Sequence, residues 1–150
     1  LRLIGPAELH PPADVMAAAR DIAADTGASI TVTDDWRSGV DGVDFIHTDV
    51  WVSMGEPKEV WRDRVDLVKD YQVNTAMMEA TSNPEVAFLH CLPAFHASNT
   101  TVGAEIIDHT GMDGGLEVTD EVFESDATVA FDQAENRLHT IKAVLVATLA

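Results

Sequence analysis

Three short segments carry side chains that could do chemistry rather than fill a core. In Asp49-Val50-Trp51-Val52-Ser53-Met54-Gly55-Glu56 a carboxylate follows an apolar run, where an unpaired charge is costly. Asp49 could pair there with a ligand ammonium, Ser53 offers a hydroxyl, and Gly55 permits close backbone approach. The blander alternative is a strand end whose carboxylate binds nearby amides. In His90-Cys91-Leu92-Pro93 a thiol beside an imidazole could be an activated thiolate or a polar contact to a substrate. A cis Leu92-Pro93 bond would turn the Leu92 carbonyl into a pocket. The alternatives are a small buried cysteine and a trans-proline turn. A metal site built from His90, Cys91 and His96 matches no usual zinc spacing and lacks a second cysteine, so neither a metal nor a cofactor is expected. Arg137 lies four residues before Ile141, in the stripe of Ile141, Val144 and Leu145 expected to face inward on the last helix. Near a helix start, free N–H groups add partial positive charge. Arg137 there suits a phosphate or a polarised carbonyl, or pairs with Asp132 or Glu135.

These segments need elements to hold them. Leu1 to Ile4, Ser29 to Thr33, Val43 to Val52 and Val86 to Leu89 read as strands, by β-branched and apolar content. Thr128 to Ala130 reads as a last short strand. Helices are expected from Ala13 to Ala24, closed by Gly27, from Pro57 to Tyr71, from Asn74 to Ala80, and from Thr119 to Glu124. A final helix running to the end has Asp132 and Glu135 as a capping pair. Asp34 to Gly42 reads as a turn-rich link and Phe95 to Gly115 as a long polar loop. The alternation predicts an α/β fold, a doubly wound, Rossmann-like parallel sheet with helices on both faces. In such sheets ligands sit beyond the carboxyl ends of the strands, where Asp49 to Met54 and His90 to Pro93 fall.

Composition narrows the partners. With 26 acidic residues against 9 basic ones the formal charge is -17, which repels nucleic acid and anionic membranes. No run approaches the roughly 20 apolar residues of a membrane span. A single cysteine forms no internal disulfide, in keeping with a reducing, cytoplasmic setting.

Taken together, the three segments resemble the ornithine carbamoyltransferase family. So do Tyr71-Gln72-Val73-Asn74 and Glu117-Val118-Thr119-Asp120-Glu121-Val122-Phe123. The Ser-Met-Gly and His-Cys-Leu-Pro motifs are specific in combination, and the resemblance runs through essentially the whole chain in the order of the family's second, ornithine-binding domain. It implies transfer of a carbamoyl group from carbamoyl phosphate to the side-chain amine of L-ornithine, giving citrulline and phosphate. It also implies that Asp49, Ser53 and Met54 hold the α-amino and α-carboxylate groups of ornithine. Cys91 and the Leu92 carbonyl would contact the reacting amine and the carbamoyl group, with Cys91 as the usual proton acceptor, and Arg137 would bind the carbamoyl oxygen. A homo-oligomer, in this family a trimer, is a further implication. Ser98 and Asn99 depart from the acidic residues frequent at those positions. The family's Ser-x-Arg-Thr-Arg phosphate motif, its His-Pro segment and an ornithine-binding Asn do not occur here. They are expected before Leu1, as are the sheet's first strand and helix, so the domain is expected to be incomplete at its N-terminus. This piece alone is then expected to be inactive. A carbamoyltransferase for another amine such as putrescine, and a non-catalytic amino-acid-binding or oligomerisation module, are the competing readings.

Overall fold

Each strand pairs in parallel, and the pairing fixes where the polar residues emerge. A computed structural model describes residues 1–51, 56–112 and 114–149, the Lys58 side chain excepted. Strand β1 (Arg2–Ile4) pairs with β2 (Thr31–Thr33), Leu3 lying opposite Val32. Strand β3 (Phe45–Thr48) pairs with β4 (Ala87–His90), Ile46 opposite Phe88 and Thr48 opposite His90. On its other side Phe88 bridges in parallel to Thr128. Parallel neighbours need crossovers, and helices supply them. Helix α1 (Ala13–Thr26) joins β1 to β2, α2 (Trp36–Val40) leads to β3, and α3 (Trp61–Val68) and α4 (Thr75–Ala80) lead to β4. Helices α5 (Thr101–Thr110), α6 (Asp120–Phe123) and α7 (Ala130–Leu149) follow. The fold is thus the parallel α/β arrangement that the alternating pattern implies.

Local chemistry sets several boundaries. Gly27 ends α1 at φ 75°, a left-handed conformation that costs glycine nothing. The Asn74 side chain accepts the Met77 N–H at the start of α4, and the Thr100 hydroxyl accepts the Gly103 N–H at the start of α5. The core has two parts. Val40, Ile46, Val73, Met77, Phe88 and Val118 pack around β4, and Trp61, Val65, Phe95, Ile106 and Leu116 lie between α3 and α5.

Six expectations fail. The link Asp34 to Gly42 contains α2, started by the Asp35 carboxylate accepting the Arg37 N–H. The supposed loop after Phe95 contains α5, whose Gly103 and threonines read as poor helix formers but are rescued by the Thr100 cap. Thr128 makes one bridge rather than a strand, because α7 begins at Ala130, and for the same reason Asp132 sits inside the first turn instead of capping it. Val60 belongs to a 3-10 turn and is exposed, leaving Trp61, Val65 and Val68 as the buried face of α3. Finally, Ile141, Val144 and Leu145 face solvent at 51%, 61% and 51% exposure. Only Ala130 of α7 is buried, since beyond its contact with β4 the helix meets no other described element over enough length to cover that stripe.

A second uncovered surface lies between the two strand pairs. Among the described residues β1 pairs only with β2 and β3 only with β4, and both strands line one cleft of about 860 Å³. The Leu1 carbonyl and the Gly5 N–H bond to β2, so by parallel alternation the backbone of Arg2 and Ile4 points the other way. Likewise the Asp44 carbonyl takes the Ala87 N–H, which turns the backbone of Phe45 and His47 away from β4. Among the described residues no helix is long and apolar enough to cross a membrane.

Phe88, fully buried at the centre of β4, should dominate the stability of this sheet. Phe88→Ala is expected to cost about 3–5 kcal/mol, read as a lower urea midpoint. A loss below about 1 kcal/mol would mean that the core is organised elsewhere.

Candidate active site

The Thr48–His90 rung ends the β3–β4 ladder, and the next residue on each strand is chemically active: Asp49 and Cys91. The Cys91 thiol donates to Asp49 Oδ1 at 2.8 Å, and the same oxygen accepts the Val50 N–H at 2.7 Å. Asp49 thus does bind a neighbouring amide, as the blander reading has it, but it also engages the thiol. Oδ2 has no partner among the described residues. The pair is exposed, contrary to the expectation of a buried carboxylate. The thiol's hydrogen bond, helped by the Val50 N–H, holds the Asp49 carboxyl below the usual carboxylate range. Lost hydration, and then the hydrogen bond and charge of Asp49, push the Cys91 thiol up. At neutral pH the sulfur therefore carries its proton and donates it, so it is not a resting thiolate.

The turn that follows is held from beneath. Leu92-Pro93 is a cis peptide and Leu92 has φ 52°, a left-handed value unusual for a branched side chain. The Leu92 N–H donates to His90 Nδ1 at 2.9 Å. Nδ1 accepts only when unprotonated, so Nε2 carries the ring proton. It donates to Glu117 Oε1 at 3.1 Å, and the Phe95 N–H donates to the same oxygen at 2.7 Å. His90 and Glu117 are both fully buried. The His90 N–H donates to Gln133 Oε1 at 3.0 Å, which ties α7 to the end of β4.

Arg137 follows Gln133 by one helical turn, on the same face. It lines a recess of about 330 Å³ together with His90, Cys91, Gln133 and Asn136. It is the eighth residue of α7, so the free N–H groups of the helix start lie about two turns away and do not reinforce it. Neither Asp132 nor Glu135 forms an ion pair with it among the described residues. Arg137 is an exposed residue. Asp49 lines the larger cleft and Cys91 the smaller recess, so the S–H···O bond joins the two.

Asp49, Cys91 and Leu92 are brought together, and Arg137 shares the Cys91 recess. Ser53 and Met54 lie outside the described residues. Glu117 and Gln133 were not singled out from the sequence as site residues. An acid flanked by Leu116 and Val118 was the available signal for Glu117. His90 and His96 do not converge on a common point, because His96 Nδ1 instead meets Asp120 Oδ1 at 2.7 Å and its ring stacks on Phe123. Among the described residues the group able to surround a cation is His96, Asp120 and Glu124.

The fold and this site define a parallel α/β domain with a thiol, a carboxylate and an arginine beyond its strand ends. Residues 1–148 match the aspartate/ornithine carbamoyltransferase Asp/Orn-binding domain, and the chain belongs to that family. It is 58% identical over 149 residues to the catabolic ornithine carbamoyltransferase of Rhizobium meliloti (strain 1021), covering 99% of this chain and 45% of that protein. The ornithine carbamoyltransferase of Pyrococcus furiosus superposes with a TM-score of 0.77 at 36% identity, over 96% of this chain and 40% of its own. That of Gloeobacter violaceus superposes at 0.76 and 33% identity, over 99% and 42%. The chain thus spans less than half the length of each of these relatives.

The pH dependence of the thiol tests the Asp49–Cys91 contact. Because lost hydration and then the Asp49 contact raise the thiol, native Cys91 should react with iodoacetamide more slowly at pH 8 than an unperturbed cysteine. Asp49→Asn removes the charge, lowers the thiol toward its ordinary range, and should speed alkylation several-fold at that pH. Identical rate–pH curves for the two proteins would show that the contact does not form in solution.

Proposed function

We propose that the whole protein transfers the carbamoyl group of carbamoyl phosphate to the side-chain amine of L-ornithine, and that this chain is the half that binds ornithine. The observation that carries the reading is the Asp49–Cys91 pair beside Arg137, on a domain of this family. The reaction forms a bond from the amine nitrogen to the carbamoyl carbon and breaks the bond from that carbon to the phosphate oxygen. The amine loses a proton and phosphate leaves. It needs an uncharged amine, a polarised carbonyl and charge support for the leaving group.

The residues divide these tasks. Asp49 Oδ2, together with Ser53 and Met54, would hold the ornithine α-amino and α-carboxylate groups. The sulfur of Cys91, its proton already directed at Asp49 Oδ1, presents lone pairs to the reacting amine. As it takes the amine proton, its own proton can pass to Asp49, so the sulfur need never become a free thiolate. The Leu92 carbonyl would accept from the carbamoyl NH2, and Arg137 would polarise the carbamoyl oxygen. The Cys91 recess is small and lacks a second cation among its lining residues, so the phosphate needs groups from elsewhere.

Two uncovered surfaces support a second half in the whole protein: the strand edges facing the 860 Å³ cleft and the apolar stripe of α7. Open parallel edges and apolar helix faces of this kind are normally covered. By the same reading the whole protein is a trimer, works in the cytoplasm with its thiol reduced, and uses small-molecule substrates.

Full-length protein given carbamoyl phosphate and ornithine should form citrulline, and Arg137→Gln should lower kcat by on the order of 10²–10³. Putrescine lacks the α-carboxylate and α-amino groups, and its kcat/KM should be lower by about a hundredfold or more. Equal use of putrescine would move the substrate to a simple diamine. No carbamoyl transfer to either amine would favour a non-catalytic module.

A further inference from the structure

We propose that Glu117 is a positioning residue for the transfer step: from beneath the His90–Phe95 turn it fixes the His90 ring, and through it the backbone that presents Cys91 and the Leu92 carbonyl. This rests on the carbamoyl-transfer reading of the same site. Among the described residues every hydrogen bond of the Glu117 side chain goes to this turn. Oε1 accepts both His90 Nε2–H at 3.1 Å and the Phe95 N–H at 2.7 Å, thereby spanning the turn from one end to the other. The link continues upward, because His90 Nδ1 accepts the Leu92 N–H at 2.9 Å. Leu92 is the one residue of the turn with a left-handed φ, at 52°. A branched residue stays in such a conformation only when its surroundings over-determine it, and the carboxylate–imidazole–amide chain does that.

Glu117 is itself set firmly. Its carbonyl accepts the Val73 N–H at 3.0 Å, and the Leu116 N–H donates to the Phe95 carbonyl at 2.7 Å. Gln72 Nε2 donates to the carbonyls of Gly115 and Leu116, both at 3.0 Å. Gly115 lies at φ 116°, and a Cβ there would fall 2.7 Å from the His96 carbonyl oxygen and clash with that of Val118. Only glycine lets this segment pass close enough to bring Glu117 under the turn.

A purely structural explanation accounts poorly for this arrangement. Burying a carboxylate is expensive, and apolar residues of similar volume in such places are often neutral or stabilising. Oε2 adds to the cost, being buried with no hydrogen-bond partner among the described residues. What an apolar residue cannot supply is an acceptor that selects the Nε2–H tautomer and so leaves Nδ1 free to hold Leu92. The acceptor and the site it serves are therefore coupled through geometry, not through charge at the substrate.

The test uses the full-length protein with Glu117→Leu and Glu117→Gln. Three quantities are read: kcat and KM for citrulline formation, the rate of Cys91 alkylation by iodoacetamide mapped by peptide mass spectrometry, and the thermal midpoint. Glu117→Leu should lower kcat by on the order of 10², the size expected when a reacting group is misplaced by about 1 Å. It should also change Cys91 alkylation severalfold, upward, as the thiol leaves Asp49. Glu117→Gln keeps an acceptor oxygen for both N–H groups and should restore kcat to within about tenfold, and Cys91 alkylation to within about twofold, of wild type. A folded Glu117→Leu protein with normal kcat and normal alkylation overturns the proposal, as does a Gln variant as impaired as the Leu variant. Should Glu117→Leu fail to fold, His90→Asn breaks the same link from the other end, and unchanged kcat and alkylation there overturn it equally. If wild-type protein forms no citrulline, the functional reading fails, while the alkylation rates still decide whether Glu117 positions Cys91.

Discussion

Thr48 lies opposite His90, and the chemistry at this end of the sheet depends on that rung. Side chains alternate along a strand, so slipping β3 by one residue against β4 would send Asp49 to the opposite face from Cys91. The register is held at several points. Asp44 takes the Ala87 N–H, Asn83 Nδ2 donates to the Val43 carbonyl at 3.0 Å, and Phe88 exchanges backbone bonds with Ala127 and Val129 on its far side. The fully buried Phe88 side chain then anchors β4 in the core. A thiol and a carboxylate meet at the surface because the strands behind them cannot slide.

The groups that would react and the groups that hold them are segregated by depth. Asp49, Cys91 and Arg137 are exposed, while His90 and Glu117 are fully buried one layer below. This suits a transfer reaction, in which positioning accounts for much of the rate. The exposed groups can meet substrate while their backbone is fixed by bonds that water cannot reach. Gln133 extends the same logic to α7. By accepting the His90 N–H it sets where the helix leaves the sheet, and Arg137, one turn on, inherits that placement.

The residue types were legible in the sequence well before their geometry was. Asp49, Cys91 and Arg137 stood out because a charge, a thiol and a guanidinium beside apolar runs need an explanation, and the parallel sheet followed from alternating strands and helices. Their adjacency was not legible, because it depends on a register between strands some forty residues apart. Helices α2 and α5 were missed for a local reason: Gly39, Gly103 and several threonines lower intrinsic propensity, while capping by Asp35 and Thr100 restores it. The last helix erred in the other direction. Its period correctly reported an apolar face at Ile141 and Leu145, but a period cannot say where the covering partner lies, and among the described residues nothing covers it. Glu117 was hidden because a single acid in an apolar segment becomes meaningful only once His90 is known to sit above it.

The central claim is that Asp49 and Cys91 act as one unit in the transfer step. A double-mutant cycle on the full-length protein tests it directly, comparing kcat for citrulline formation at saturating ornithine, where the binding role of Asp49 drops out, in wild type, Asp49→Asn, Cys91→Ser and the double variant. A shared proton path predicts strong non-additivity: once either partner is lost, losing the other should cost little more, with a coupling of about 1–3 kcal/mol. Additive losses, agreeing within about 0.5 kcal/mol, would show that the two residues contribute independently and would contradict the account.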